Sequence, residues 1–132
     1  MAYDDGQPRR LQVVLTAGPA QRERATLGLQ AALAAAASGI ATSVFLTLDA
    51  TAWACEPRAV PDGATVYELL DHLAGFGVEV TCCSACAMDL CGTRSAAGGG
   101  GRGGAATHDG VSLTGLTGLM ERVAAGVPTI TF

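Results

Sequence analysis

The 132-residue sequence lacks several features that mark common classes of protein. It contains no lysine and no asparagine, so every fixed positive charge is an arginine. A nucleic-acid-binding surface needs clustered basic side chains, and a net charge of −4 argues against one. No stretch approaches the roughly 18 to 20 apolar residues of a membrane span, and the polar segment Met1–Arg10 carries no targeting signal. We therefore expect a cytoplasmic protein with neither nucleic-acid nor membrane partners.

Aromatic residues are also scarce, at 5% of the chain, although 49% of the residues are hydrophobic. Alanine and glycine are abundant, so the core should be built from small side chains with helices lying close to a sheet. The length is sufficient for one domain to bury a core without covalent cross-links. We expect residues 1–10 to be a flexible leader and residues 11–132 to form that single domain, with a glycine-rich loop at 93–110.

Strand and helix patterns alternate along the domain. Short apolar or β-branched runs predict strands, and apolar residues at helical spacing predict helices. The predicted strands are 11–16, 42–48, 77–81 and 127–132, and the predicted helices are 19–38, 65–74, 85–90 and 113–125. Such alternation predicts an α/β fold, a three-layer α/β/α sandwich with a mostly parallel sheet of four to five strands.

Four of the five cysteines lie within ten residues, where the third strand gives way to a helix. They are Cys82, Cys83, Cys86 and Cys91, and the fifth, Cys55, lies in the loop 49–62. The junction between a strand's carboxyl end and a helix's amino end is where α/β proteins place their chemistry. In a cytoplasmic protein with an odd number of cysteines, we expect reduced thiols, metal ligands or catalytic groups rather than disulfides.

Four interpretations of the cluster compete. Cys83, at the strand end and facing the N–H groups of the next helix, could be a nucleophile that carries sulfane sulfur as a persulfide. Cys83 and Cys86 have the spacing of zinc ligands, with Cys91 or Cys55 as a third sulfur, and also that of a dithiol redox pair. A free cysteine can equally be a small buried hydrophobe, which suits Cys82 because its side chain should point into the core.

The loop 49–62 should lie at the same edge of the sheet as Cys83, since it follows the second parallel strand. Trp53 and Cys55 are therefore candidate site-lining residues. Trp53 could equally anchor the loop by burying its ring. The glycine-rich stretch after Cys91 could cover the thiols or be a tolerated insertion, because surface loops accept added length at little cost.

The order of several sequence blocks resembles the DsrE/DsrF-like sulfur-relay family, which includes the TusD-type and YchN-like proteins. These blocks are LQVVLTAGP, an alanine-rich helix ending in SG, SVFLTLDA, YELLDHLAGFGVEVTCC and a terminal strand ending in phenylalanine. In that family the cysteine after the GVxV strand carries a persulfide, and it matches Cys83 here. YchN-like members have CxxC at this point, which matches Cys83 and Cys86.

The resemblance implies a sulfur carrier or sulfurtransferase that works without a cofactor, assembled as a homotrimer or homohexamer. Its partners would be sulfur donor and acceptor proteins or a small sulfane-sulfur donor. Cys83 and Cys86 would be the catalytic residues, with no metal. From their positions in the sequence rather than from the resemblance, we expect Cys82, Cys91, Trp53 and Cys55 to contribute to binding.

Overall fold

The computed structural model describes residues 9–55, 63–97, 107 and 110–132. Within these ranges, five strands form one sheet in the order β4-β3-β2-β1-β5, and every neighbouring pair is parallel. The strands are β1 (Arg10–Leu15), β2 (Ala41–Leu46), β3 (Glu79–Cys83), β4 (Val111–Thr114) and β5 (Thr129–Thr131). The helices are α1 (Arg22–Ala37), α2 (Ala64–Gly75), α3 (Ser84–Ala97) and α4 (Leu116–Ala124), with 3₁₀ helices at Pro19–Gln21 and Leu48–Trp53.

The two faces of the sheet bury different amounts of apolar surface. Residues that alternate along β1 and β2, such as Val13 and Val44, point into the main core, which also holds the inner faces of α1 and α2. On the opposite face, Val14 and Phe45 form a smaller cluster with Leu119 of α4. The predicted parallel sheet between helical layers is confirmed.

Several elements differ from the prediction. Strand β4 was not predicted, because its four residues follow a glycine-rich stretch and were assigned partly to the last helix. Helix α3 continues past Gly92, where the prediction ended it, since one glycine inside a helix costs only about 1 kcal/mol. The chain after β2 enters a 3₁₀ helix at Leu48, which was predicted to end the strand. Most of the predicted leader and of the glycine-rich loop lies outside the described residues.

The carboxyl ends of β1, β2 and β3 meet at one edge of the sheet, and short connections tie them together. The backbone N–H of Thr47 donates to the Leu15 carbonyl at 3.0 Å, and that of Ala50 donates to the Thr16 carbonyl at 3.1 Å. The chain after β2 is thereby fixed against the end of β1. In the described ranges, no helix combines the length and apolar character needed to cross a bilayer.

Candidate active site

The predicted thiol-rich junction is present at this edge. Cys83 is the last residue of β3, and Ser84 begins α3 directly after it. Because side chains alternate along a strand, Cys82 and Cys83 point to opposite faces. Cys82 is fully buried in the main core, which favours the interpretation of this residue as a small buried hydrophobe over the expected binding role. Cys83 is 5% exposed and packs in the smaller cluster against Phe45, with Cys86 beside it.

Cys86 is the cysteine that reaches a cavity. It lies in the first turn of α3, is partly exposed, and lines a pocket of about 400 Å³. The pocket is lined by residues from the β1–α1 connection, the Leu48–Trp53 3₁₀ helix and α3: Pro19, Ala20, Leu48, Asp49, Ala52, Cys86, Asp89 and Leu90. A small donor molecule or an extended peptide segment could therefore approach the Cys86 sulfur from solvent.

Hydrogen-bond donors surround the Cys86 sulfur. Its Sγ lies 3.6 Å from Oγ1 of Thr47. This hydroxyl is the main reason that the pKa of Cys86 lies below its ordinary value, with partial burial opposing it and the backbone N–H of Leu48 and the thiol of Cys83 assisting. A lowered pKa increases the thiolate fraction near neutral pH, and the thiolate is the nucleophilic form.

Cys82 has the opposite character. Burial raises the pKa of its thiol to about 11, which outweighs the opposing effect of the nearby Thr51 hydroxyl. The neighbouring thiols of Cys83 and Cys86 raise it further. Cys82 therefore remains protonated at neutral pH and acts as a core residue rather than as a nucleophile.

Cys55 and Cys91 form a disulfide, which corrects the expectation that all five cysteines would be reduced. Their Cα atoms are 5.0 Å apart although 36 positions separate them in sequence. The proximity arises because α3 extends far enough to bring Cys91 against the end of the 3₁₀ helix, a tertiary contact that composition and compartment arguments do not detect. Both residues are buried, so neither supplies a thiol to the pocket or a third sulfur to a zinc site.

Trp53 serves as an anchor for the loop after β2. Its ring is completely buried, packs edge-on against Tyr67 with centroids 5.7 Å apart, and donates its Nε1–H to the Ala17 carbonyl at 2.9 Å. It is not among the residues that line the Cys86 pocket. Of the two interpretations of Trp53, the structure supports the loop anchor, which holds the 3₁₀ helix beside α3.

Thr47 and Leu48 lie beside Cys86 in the candidate site, and sequence reasoning missed both. Both were assigned to the second strand because the β-branched and apolar pattern of β2 continues through them. The turn at Leu48 depends on a positive φ angle, and none of the residues in this segment is of a type that predicts one. Across the described ranges, no group of three His, Cys, Asp or Glu side chains is placed to hold a metal ion.

Comparison with known proteins identifies the family of this chain. The family model described as the DsrE/DsrF-like family matches residues 9–132, which is nearly the whole chain. The chain belongs to the DsrE/DsrF-like family. The predicted family is thereby confirmed, whereas a comparison with functionally curated proteins gives no match.

Two solved structures share the DsrE-like fold. The crystal structure of the YchN protein from E. coli is 21% identical, with a TM-score of 0.71, covering 94% of this chain and 99% of that one. A conserved protein of unknown function from Bacteroides thetaiotaomicron, BT1422, is 14% identical, with a TM-score of 0.63, covering 93% and 94%. At these identities the likeness supports the fold alone.

Proposed function

We propose that this DsrE-family protein carries sulfane sulfur as a cysteine persulfide at the Cys83–Cys86 pair. Sulfur relay is the general role of the family. The observation that carries the proposal is the setting of Cys86: a partly exposed thiol that lines a pocket, has a lowered pKa, and lies beside a second thiol.

The chemistry requires two thiol exchanges of the same kind. The Cys86 thiolate attacks the outer sulfur of a persulfide donor, the donor's S–S bond breaks, and the donor leaves as a thiolate that takes up a proton. An acceptor thiolate then attacks the outer sulfur of the Cys86 persulfide, and Cys86 leaves as a thiolate. No external oxidant or reductant is consumed, because the sulfane sulfur passes between thiols without net electron transfer.

Within the pair, we assign the first attack to Cys86. The family resemblance gives Cys83 as the persulfide carrier, and that assignment stays a prediction. Cys83 is nearly buried, however, whereas Cys86 faces the pocket. Cys83 is then the partner thiol, which supports the Cys86 thiolate and is close enough in the fold to take the sulfur next.

A dithiol redox pair is the second candidate, because it would use the same neighbouring thiols. The two functions predict different changes in the mass of the protein. A persulfide adds one sulfur atom, whereas oxidation of Cys83 and Cys86 to a disulfide removes two hydrogen atoms.

Intact-mass measurement after incubation with a persulfide donor tests the proposal. The protein should gain one sulfur that dithiothreitol removes. Cys86→Ser should abolish the gain, and Cys82→Ala, as the control at the buried cysteine, should leave it unchanged. If Cys86→Ser still gains the mass of one sulfur and Cys83→Ser does not, Cys83 is the residue that carries the persulfide. No gain in the unaltered protein would contradict sulfur carriage.

We also propose that like subunits assemble as a trimer or hexamer through the outer face of α4. Leu116, Met120 and Val123 follow helical spacing and are each about half exposed, while Leu119 alone on this helix is buried. A stripe of this kind is typical of a surface covered by another subunit. Light scattering should give a multiple of the 13.2 kDa chain mass. Met120→Glu should reduce it to the monomer, and a monomer without the substitution would contradict the assembly.

A further inference from the structure

Leu48 has an unusual backbone conformation beside the candidate thiol. Among the described residues it is the one non-glycine residue with positive φ, at 53°. A leucine in this left-handed region is disfavoured, since its Cβ crowds the following carbonyl, whereas glycine adopts it readily. Such strain persists only where the surrounding structure imposes it, and it concentrates at functional sites.

The turn at Leu48 places Thr47 and Leu48 beside Cys86. Thr47 is extended, with φ −148° and ψ 169°, and its hydroxyl lies 3.6 Å from Sγ of Cys86. The chain then reverses at Leu48, which lines the same pocket as Cys86, and the backbone N–H of Leu48 contributes to the lowered pKa of that thiol. The flanking hydrogen bonds of Thr47 and Ala50 to the end of β1 fix this arrangement.

Several other polar groups face Cys86 from the elements packed around it. Asp49 from the 3₁₀ helix and Asp89 from α3 line the same pocket, and carboxylates oppose a thiolate. Arg22 and Arg24 of α1 line the adjoining cavity. Cys83 assists the thiolate, and Cys82 beneath it stays protonated. The effect that opposes the thiolate is the partial burial of Cys86, and hydrogen bonds to the sulfur outweigh it.

We propose that Thr47 and Leu48 form a two-donor site that holds the Cys86 sulfur as a thiolate, and that both are positioning residues for the transfer proposed above. This inference rests on the proposed function, in which the same site serves both sulfur uptake from the donor and sulfur release to the acceptor. Cys86 is the attacking thiolate when sulfur is taken from the donor. It is the leaving thiolate when an acceptor attacks the outer sulfur, because the electron pair of the broken S–S bond returns to Sγ.

The pH dependence of alkylation tests this site without requiring sulfur transfer. Iodoacetamide labelling of Cys86, resolved by peptide mass spectrometry, gives an apparent pKa for this thiol. Thr47→Val keeps the side-chain shape and removes the hydroxyl, so it should raise that pKa by about one unit. Labelling near neutral pH should slow roughly threefold, because the smaller thiolate fraction is partly offset by the greater nucleophilicity of a thiolate of higher pKa. Thr47→Ser, which restores the hydroxyl, should recover most of the rate.

A second matched pair tests the backbone of Leu48. Leu48→Gly permits the left-handed turn, so it should leave the apparent pKa of Cys86 unchanged. Leu48→Val is β-branched and resists this conformation, so it should raise the pKa. If Leu48→Val does not fold, the comparison of Thr47→Val with Thr47→Ser still tests the two-donor site.

An apparent pKa that is the same in Thr47→Val and in the unaltered protein would overturn the two-donor site. The failure of sulfur carriage gives a different result. In that case the pKa shifts would appear as predicted, but the persulfide donor would add no mass to the protein.

Discussion

Removing the Cys55–Cys91 disulfide should cost a large part of the stability of this domain. The disulfide closes a loop of 36 residue positions. In the chain-entropy account, a cross-link of this span stabilises the fold by about 4 kcal/mol, mainly by restricting the unfolded chain. Domains of this size are stable by about 5 to 15 kcal/mol, so the loss would be readily measured.

Urea unfolding with and without dithiothreitol provides the assay. The reductant should lower the midpoint of the unaltered protein. The double variant Cys55→Ala/Cys91→Ala should unfold at a similarly low midpoint and should not respond to reductant. Alanine is the preferred replacement because serine would bury an additional hydroxyl at these two fully buried positions.

Thiol titration of the denatured protein gives an independent check. Three of the five cysteines should react before reduction, since Cys82, Cys83 and Cys86 are free, and all five should react after it. Five reactive thiols without reductant, together with an unchanged urea midpoint, would refute the disulfide.

Two further predictions concern the residues around the thiols. The unfolded thiol of Cys82 has a pKa near 9.0 and the folded one about 11, so the folded state holds this proton more tightly. The contribution of the Cys82 thiol to folding stability is complete below pH 9. It is lost as the pH rises through 11, which lowers the free energy of unfolding by about 2–3 kcal/mol. In urea titrations, Cys82→Ala should remove this pH-dependent loss. Gly18→Ala should destabilise by about 1–3 kcal/mol, because its Cβ would lie 2.8 Å from Cβ of Asp49, whereas Gly118→Ala, whose Cβ meets only Thr114 Oγ1 at 3.6 Å, should not. Equal urea midpoints for the two alanine variants would contradict the close packing at Gly18.

The parts of the fold that sequence predicted are those set by local patterns. Apolar runs located β1 and β2, and the two-residue period of a strand correctly separated Cys82, in the core, from Cys83. Strand β4 was not predicted, because four residues beside a glycine-rich stretch form too short an apolar pattern.

The parts of the site that sequence missed depend on tertiary geometry. The Cys55–Cys91 contact forms only when the end of the 3₁₀ helix and the middle of α3 meet, which neither segment encodes by itself. The left-handed turn at Leu48 occurs at a residue type that rarely adopts it, so no turn signal marks it. The contact between Thr47 and Cys86 lies next to that turn and was not predicted either.

Locating the transferred sulfur by tandem mass spectrometry tests the central claim most directly. Trypsin should release residues 59–94 as one peptide containing Cys82, Cys83 and Cys86, joined without reductant to residues 25–58 through the disulfide. After brief exposure to a persulfide donor and alkylation, fragmentation should place one additional sulfur on Cys86. An additional sulfur on Cys82 alone, or no additional sulfur on this peptide, would contradict sulfur carriage at the Cys83–Cys86 pair.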